Sequence, residues 1–189
     1  MASPGAGTTP SVGFLTVVHY AQHGYFGGLL TLGPAGRPRE FHCTLPVQPS
    51  RAQEILYGPT LRPYLCGEQI AAALLAKLAT APIAVLTDDA DVLAVTAVTD
   101  LPVLLVDDDG DNNDITDDNV ENNAPRRDDS RGPNVTWLDV CGWRLGARTH
   151  GVDAAKLAGP LGDFAANVDP LEPFERIRAA IDQAQRSAA

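Results

Sequence analysis

Three neighbouring carboxylates, Asp88, Asp89 and Asp91, form the best-placed acidic cluster in the sequence, because they follow the short apolar run from Ile83 to Thr87. The carboxyl end of a parallel strand is where open α/β sheets bind ligands. With Glu68 upstream, these acids are candidate catalytic groups that would hold Mg²⁺ or Mn²⁺ in a metal-dependent hydrolase. An Asp at a helix start also caps free amides, and capping is the simpler reading of the trio. A second group, Tyr57, Arg62 and Tyr64, brackets a Gly58-Pro59 break. Tyr and Arg are enriched at interfaces, which makes this a candidate binding surface, although the same residues suit a helix elbow packed on a sheet. His150, with Arg148 and Asp153, lies in Gly-rich chain and is a further binding candidate, against the plainer reading of a surface turn before an Asp helix cap.

Other reactive residues lack the partners their chemistry needs. His19 and His23 have i, i+4 spacing, but no Glu lies between them and the segment reads as a strand running into a turn, which separates the rings. His42 and Cys43 are neighbours on a strand, so they point to opposite faces and form no nucleophile–base pair; Cys43 is expected buried and His42 on the solvent side. Asp107, Asp109 and Asp111 alternate as in a calcium loop, but the sixth position is Asn112 and the twelfth is Asp118, without the Gly and closing Glu such a loop uses. No resident metal or cofactor is expected, and no Gly-rich phosphate loop, nucleophile elbow or HExxH motif occurs.

The elements that must position these residues are legible in outline. Phe14 to Tyr20, Tyr25 to Leu32 and Arg39 to Leu45 are rich in β-branched and aromatic residues, with turn chemistry from Gly33 to Pro38, and they predict a three-strand antiparallel meander. Gly27-Gly28 inside the second strand marks a bulge or a close approach of other backbone. Ser50 and Gln53 fit a capping box opening a short helix to Tyr57, followed by a long helix from Leu61 to Leu78 with one apolar face. Ile83 to Thr87, Asp89 to Val98 and Leu101 to Val106 then read as a β-α-β unit, its apolar strands covered on both faces as in a parallel pair. Val135 to Val140 is a further strand, and residues 141–168 read as irregular with one short helix from Asp153. A final helix opens at Asp169-Pro170 and aligns Leu171, Phe174, Ile177 and Ile181 on one face.

The chain has 189 residues, with 14 Lys and Arg against 24 Asp and Glu, for a net charge of -10. Ten of those acids and three of the bases fall within residues 107–131, so the rest of the chain is nearly neutral. The expected organisation is a disordered lead-in over residues 1–11 and one α/β domain over 12–189, interrupted by a disordered acidic insert at about 107–133. No basic stripe offers general affinity for nucleic acid, and nothing predicts attraction to lipid. Three widely spaced cysteines suggest no disulfide framework. The first basic residue is Arg37 and no apolar run reaches membrane-spanning length, so a soluble, cytoplasmic protein is the expectation.

The order β-β-β, α-α, β-α-β over residues 12–106 resembles the ribonuclease H-like fold, in which a three-strand meander precedes a helix and then alternating strands and helices. Nucleases of that family hold two divalent metal ions with acids on the first strand, the first helix and the fourth strand. The resemblance implies Glu54 or Glu68 for the helix acid and Asp88 or Asp89 for the fourth strand. The first-strand acid is absent, since no Asp or Glu precedes Glu40. The function expected is therefore a non-catalytic module that binds a protein partner or assembles with itself, with a metal-dependent hydrolase or nuclease as the alternative.

Overall fold

In the computed structural model, which describes residues 10–107, 135–148 and 152–188, strands β1 (Val12–Tyr20), β2 (Gly24–Leu32) and β3 (Pro38–Cys43) form the antiparallel meander. Most of the lead-in, nearly all of the acidic segment and His150 lie outside the described residues. The β2–β3 turn closes through the Gly33 amide on Arg37 O and the Gly36 amide on Gly33 O, with Gly36 at φ 70°, where a side chain would be strained. β4 (Val85–Thr87) lies parallel to β1, and β5 (Val103–Val106) lies parallel to β4. β6 (Val135–Val140) and β7 (Trp143–Arg148) complete a mixed seven-stranded sheet in the order β3-β2-β1-β4-β5-β7-β6. With helices packed on both faces, the fold is α/β.

β7 falls where irregular chain was expected. Its partner contact is a hairpin around Cys141 and Gly142, at φ 54° and 86°. Two consecutive positive φ values are what a two-residue hairpin turn requires, but Cys is an unusual occupant, so the turn carries no familiar sequence mark. Gly146 further disguises the strand; a Cβ there would sit 2.6 Å from Val135 and 3.0 Å from Trp137. Asp107 also departs from the expected insert. Its side chain is 4% exposed and pairs with Arg144 at 3.1 Å, so it belongs to the sheet end.

The capping box is formed: Ser50 Oγ accepts from the Gln53 amide at 3.2 Å, and Gln53 Oε1 accepts from the Ser50 amide at 2.9 Å. It opens helix α1 (Arg51–Tyr57), which Gly58 ends at φ 50°. The long helix, α2, spans residues 61–75 and is π-wound over Tyr64–Ala71. A 3₁₀ helix, Ala90–Ala97, takes the place of the predicted connecting helix; its β-branched residues disfavour α-winding. Gly67 lets these two elements meet, because a Cβ there would lie 2.6 Å from Ala94 Cβ.

Helices α3 (Ala154–Ala165) and α4 (Glu172–Ala188) cover the other face, where Phe164, Phe174, Ile177 and Ile181 pack with Phe14, Leu86 and Leu104. Leu15, Leu29, Val85 and Val103 instead meet Cys66, Ile70 and Leu74 of α2. Gly27 and Gly28 divide between these layers. Cβ atoms there would fall 2.2 Å from Ile70 Cγ2 and 2.2 Å from Ile177 Cγ2, respectively. The close approach is thus of helix side chains on both faces, and the β1–β2 register runs through without a bulge.

Candidate functional site

Successive residues leaving β4 point to opposite sides of the sheet, and this alternation separates the acids. Asp88 turns towards α4 and pairs with Arg178; its side chain is 11% exposed. Burial pushes its carboxyl above the usual range, against the Thr16 hydroxyl and the Arg178 charge. Asp89 turns the other way and caps the 3₁₀ helix, with Oδ1 accepting from the Asp91 amide at 2.9 Å. Its Oδ2 lies 3.1 Å from Arg62 Nη2, while Arg62 Nε reaches Asp91 Oδ2 at 2.6 Å. One guanidinium thereby clamps both acids. Burial and then the neighbouring Asp89 charge raise the Asp91 carboxyl, opposed by Arg62 and Arg148. Cys66 lies beneath this network, and burial, reinforced by Asp89, pushes its thiol up to about 12. It is an inert thiol at neutral pH.

Glu68 does not join these acids. It lines a cleft of about 590 Å³ with Tyr57, Tyr64, Thr96 and Arg148. Tyr57 and Tyr64 are seven residues apart, two helical turns, and the Gly58-Pro59 elbow brings them together on one side with ring centroids 4.2 Å apart and planes 20° from parallel. Gln69 Nε2 donates to the Tyr64 hydroxyl at 2.9 Å and fixes that ring from behind. The Tyr57 hydroxyl is shifted above its ordinary range, first by its hydrogen bond with Tyr64, then by burial and the negative charges nearby.

The helix beside the cleft has an unusual surface. No side chain of α1 is buried, and Ile55 and Leu56 are 68% and 81% exposed. Val98, next in the chain to Ala97 of the cleft wall, is 59% exposed. Apolar, aromatic and charged groups therefore share one continuous stretch of chain, from α1 through the elbow.

The structure brings Tyr57, Tyr64 and Glu68 together, whereas Arg62 is engaged by Asp89 and Asp91 and does not line their cleft. Asp88 lies apart, Glu54 pairs with Arg51 on α1 at 2.9 Å, and among the described residues no group of three or more His, Cys, Asp or Glu side chains gathers where it would hold a metal ion. His19 packs on Tyr25 with ring centroids 4.4 Å apart and planes tilted by 34°. Glu40 accepts from the Ala79 amide at 3.0 Å and shares a face with His42 at 3.2 Å, and the amide first and then the imidazole hold that carboxyl below its usual range. Cys43 is exposed, because β3 is an edge strand whose outer residues no helix covers. The contributions of Arg148 and Thr96 to the cleft, and the bare apolar surface of α1, escaped the sequence reading. No known protein family matches the chain, and no curated protein matches it in sequence.

Proposed function

We propose that the chain is a non-catalytic binding module that docks a protein partner, or a second copy of itself, through α1 and the Tyr57–Tyr64 cleft. One observation carries this reading: α1 buries none of its side chains yet presents Ile55 and Leu56 to solvent beside a stacked tyrosine pair. A helix of seven residues is marginal in water on its own, and a partner covering that face supplies the burial it lacks. Glu68 and Arg148 at the cleft give both signs of charge to fix orientation. A reducing, cytoplasmic setting belongs to the same proposal, supported by three free cysteines. No described helix is long and apolar enough to cross a membrane.

Size-exclusion with light scattering, joined to capture of partners, tests the proposal on wild type, Tyr57→Ala/Tyr64→Ala and Ile55→Ser/Leu56→Ser. A defined dimer or a specific partner that both variants lose, at unchanged circular dichroism, supports it. A monomer that captures nothing specific counts against it. A metal-dependent hydrolase or nuclease of ribonuclease H-like fold is the second reading, supported by the parallel β1, β4 and β5 and by Asp88 at the carboxyl end of β4. Turnover of nucleic acid with Mg²⁺ or Mn²⁺ that disappears in Asp88→Asn/Asp89→Asn would favour it over the first.

A further inference from the structure

Across the sheet from the tyrosine cleft, the end of α4 and the chain leaving β3 enclose a second groove of about 590 Å³. That volume lies within the roughly 300–1,000 Å³ of small-molecule sites. Its floor is apolar: Phe26 and Ile181 are almost fully buried, and Leu45 forms a wall while 84% exposed. A leucine held open to water beside buried apolar surface is covered at a gain when an aliphatic chain enters.

Arg186, Gln185, His23 and Thr44 form the polar lining of this groove, and among the described residues no Asp or Glu lines it. The nearest acid on α4, Asp182, already accepts from the Tyr20 hydroxyl. Arg186 is steadied by its Nε donating to Asp182 O at 3.3 Å and makes no ion pair among the described residues. Gln185 turns its buried side-chain nitrogen to the Tyr20 hydroxyl, which leaves Arg186 to meet a ligand in the groove.

We propose that this groove binds a single-chain aliphatic carboxylate, its tail against Phe26, Ile181 and Leu45 and its carboxylate received by Arg186. An apolar bed ending in a cation matches a ligand with one anionic head and opposes one with a cationic head.

Cys43 lines the same groove and is exposed, whereas Cys141 is exposed elsewhere and Cys66 is buried. The thiols therefore supply a site-resolved assay. Alkylation by N-ethylmaleimide is followed by peptide mass spectrometry with dodecanoate, below its micellar concentration, and with dodecyltrimethylammonium as the cationic counterpart. Dodecanoate should slow modification of Cys43 and leave Cys141 unaffected, with Cys66 unmodified throughout. Arg186→Gln, at an exposed position, should raise the half-protecting concentration by about tenfold or more, the loss of a charged hydrogen bond. Ala184→Leu, also on the groove wall, should weaken protection by occupying the tail site. Equal protection by the ammonium probe, equal protection of Cys141, or no protection would overturn the proposal. Protection that needs no probe and grows with protein concentration would show a second copy in the groove and overturn it equally.

Discussion

Substituting Gly28 by Ala tests how tightly α4 is seated on the sheet. The added Cβ would lie 2.2 Å from Ile177 Cγ2 and 3.2 Å from Ile181 Cδ1. Carbon atoms prefer separations of about 3.5–4.0 Å, so the first contact overlaps by roughly 1.5 Å. Ile177 is fully buried and β-branched on a helix, which leaves it essentially one rotamer, so α4 must move. Overpacking of this kind costs about 1–3 kcal/mol. For a chain of this length that lowers the thermal midpoint by about 3–10 °C. Gly162→Ala is the control: it lies within α3 and its nearest outside atom is Cys141 Sγ at 3.9 Å. There the helix preference for Ala should stabilise by about 0.5–1 kcal/mol. Ile177→Leu removes the obstructing γ-methyl, so Gly28→Ala/Ile177→Leu should be more stable than the two single effects added. Thermal and urea denaturation read all four variants. A Gly28→Ala protein as stable as Gly162→Ala, or a double variant with no coupling, would refute the proposed seating.

Ser50→Ala should cost α1 about 1 kcal/mol by removing its cap, seen as faster amide exchange over residues 51–57. Because α1 buries nothing, the global midpoint should move little. Asp88 has a raised folded-state pKa, so its contribution to stability is full at low pH and declines as pH rises through that value. Asp88→Asn should therefore stabilise at neutral pH, with the advantage fading as pH falls towards the ordinary Asp value; an advantage that grew on acidification would contradict the sign. A thiol reagent at mildly alkaline pH should modify Cys43 and Cys141 rapidly and Cys66 only after denaturation, as expected of a buried thiol shifted to about 12.

The meander, the capped helix starts and the parallel β4–β5 pair were legible because each carries a local mark: β-branched alternation, a Ser–Gln or Asp cap, or a continuous apolar run. β7 was not, since its Gly146 and the Cys141-Gly142 turn make sense only once Trp137 and Val135 of β6 lie across from it. The π-winding of α2 likewise answers to tertiary packing, with Gly67 pressed against the 3₁₀ helix. Tyr57 and Tyr64 could be singled out by type and elbow, but Arg148 arrives from a strand distant in the chain. The split between Asp88 and Asp89 was available in principle from strand alternation. Their arginine partners, on α4 and α2, were not.

The central claim, that α1 and the tyrosine cleft form the binding surface, is tested most directly by hydrogen–deuterium exchange. Peptides are compared across a range of protein concentrations and with any partner that co-purifies. Protection gained selectively over residues 51–64, and lost in Ile55→Ser/Leu56→Ser, is the predicted result. Association that protects other segments and leaves residues 51–64 exchanging as in the isolated chain would contradict it.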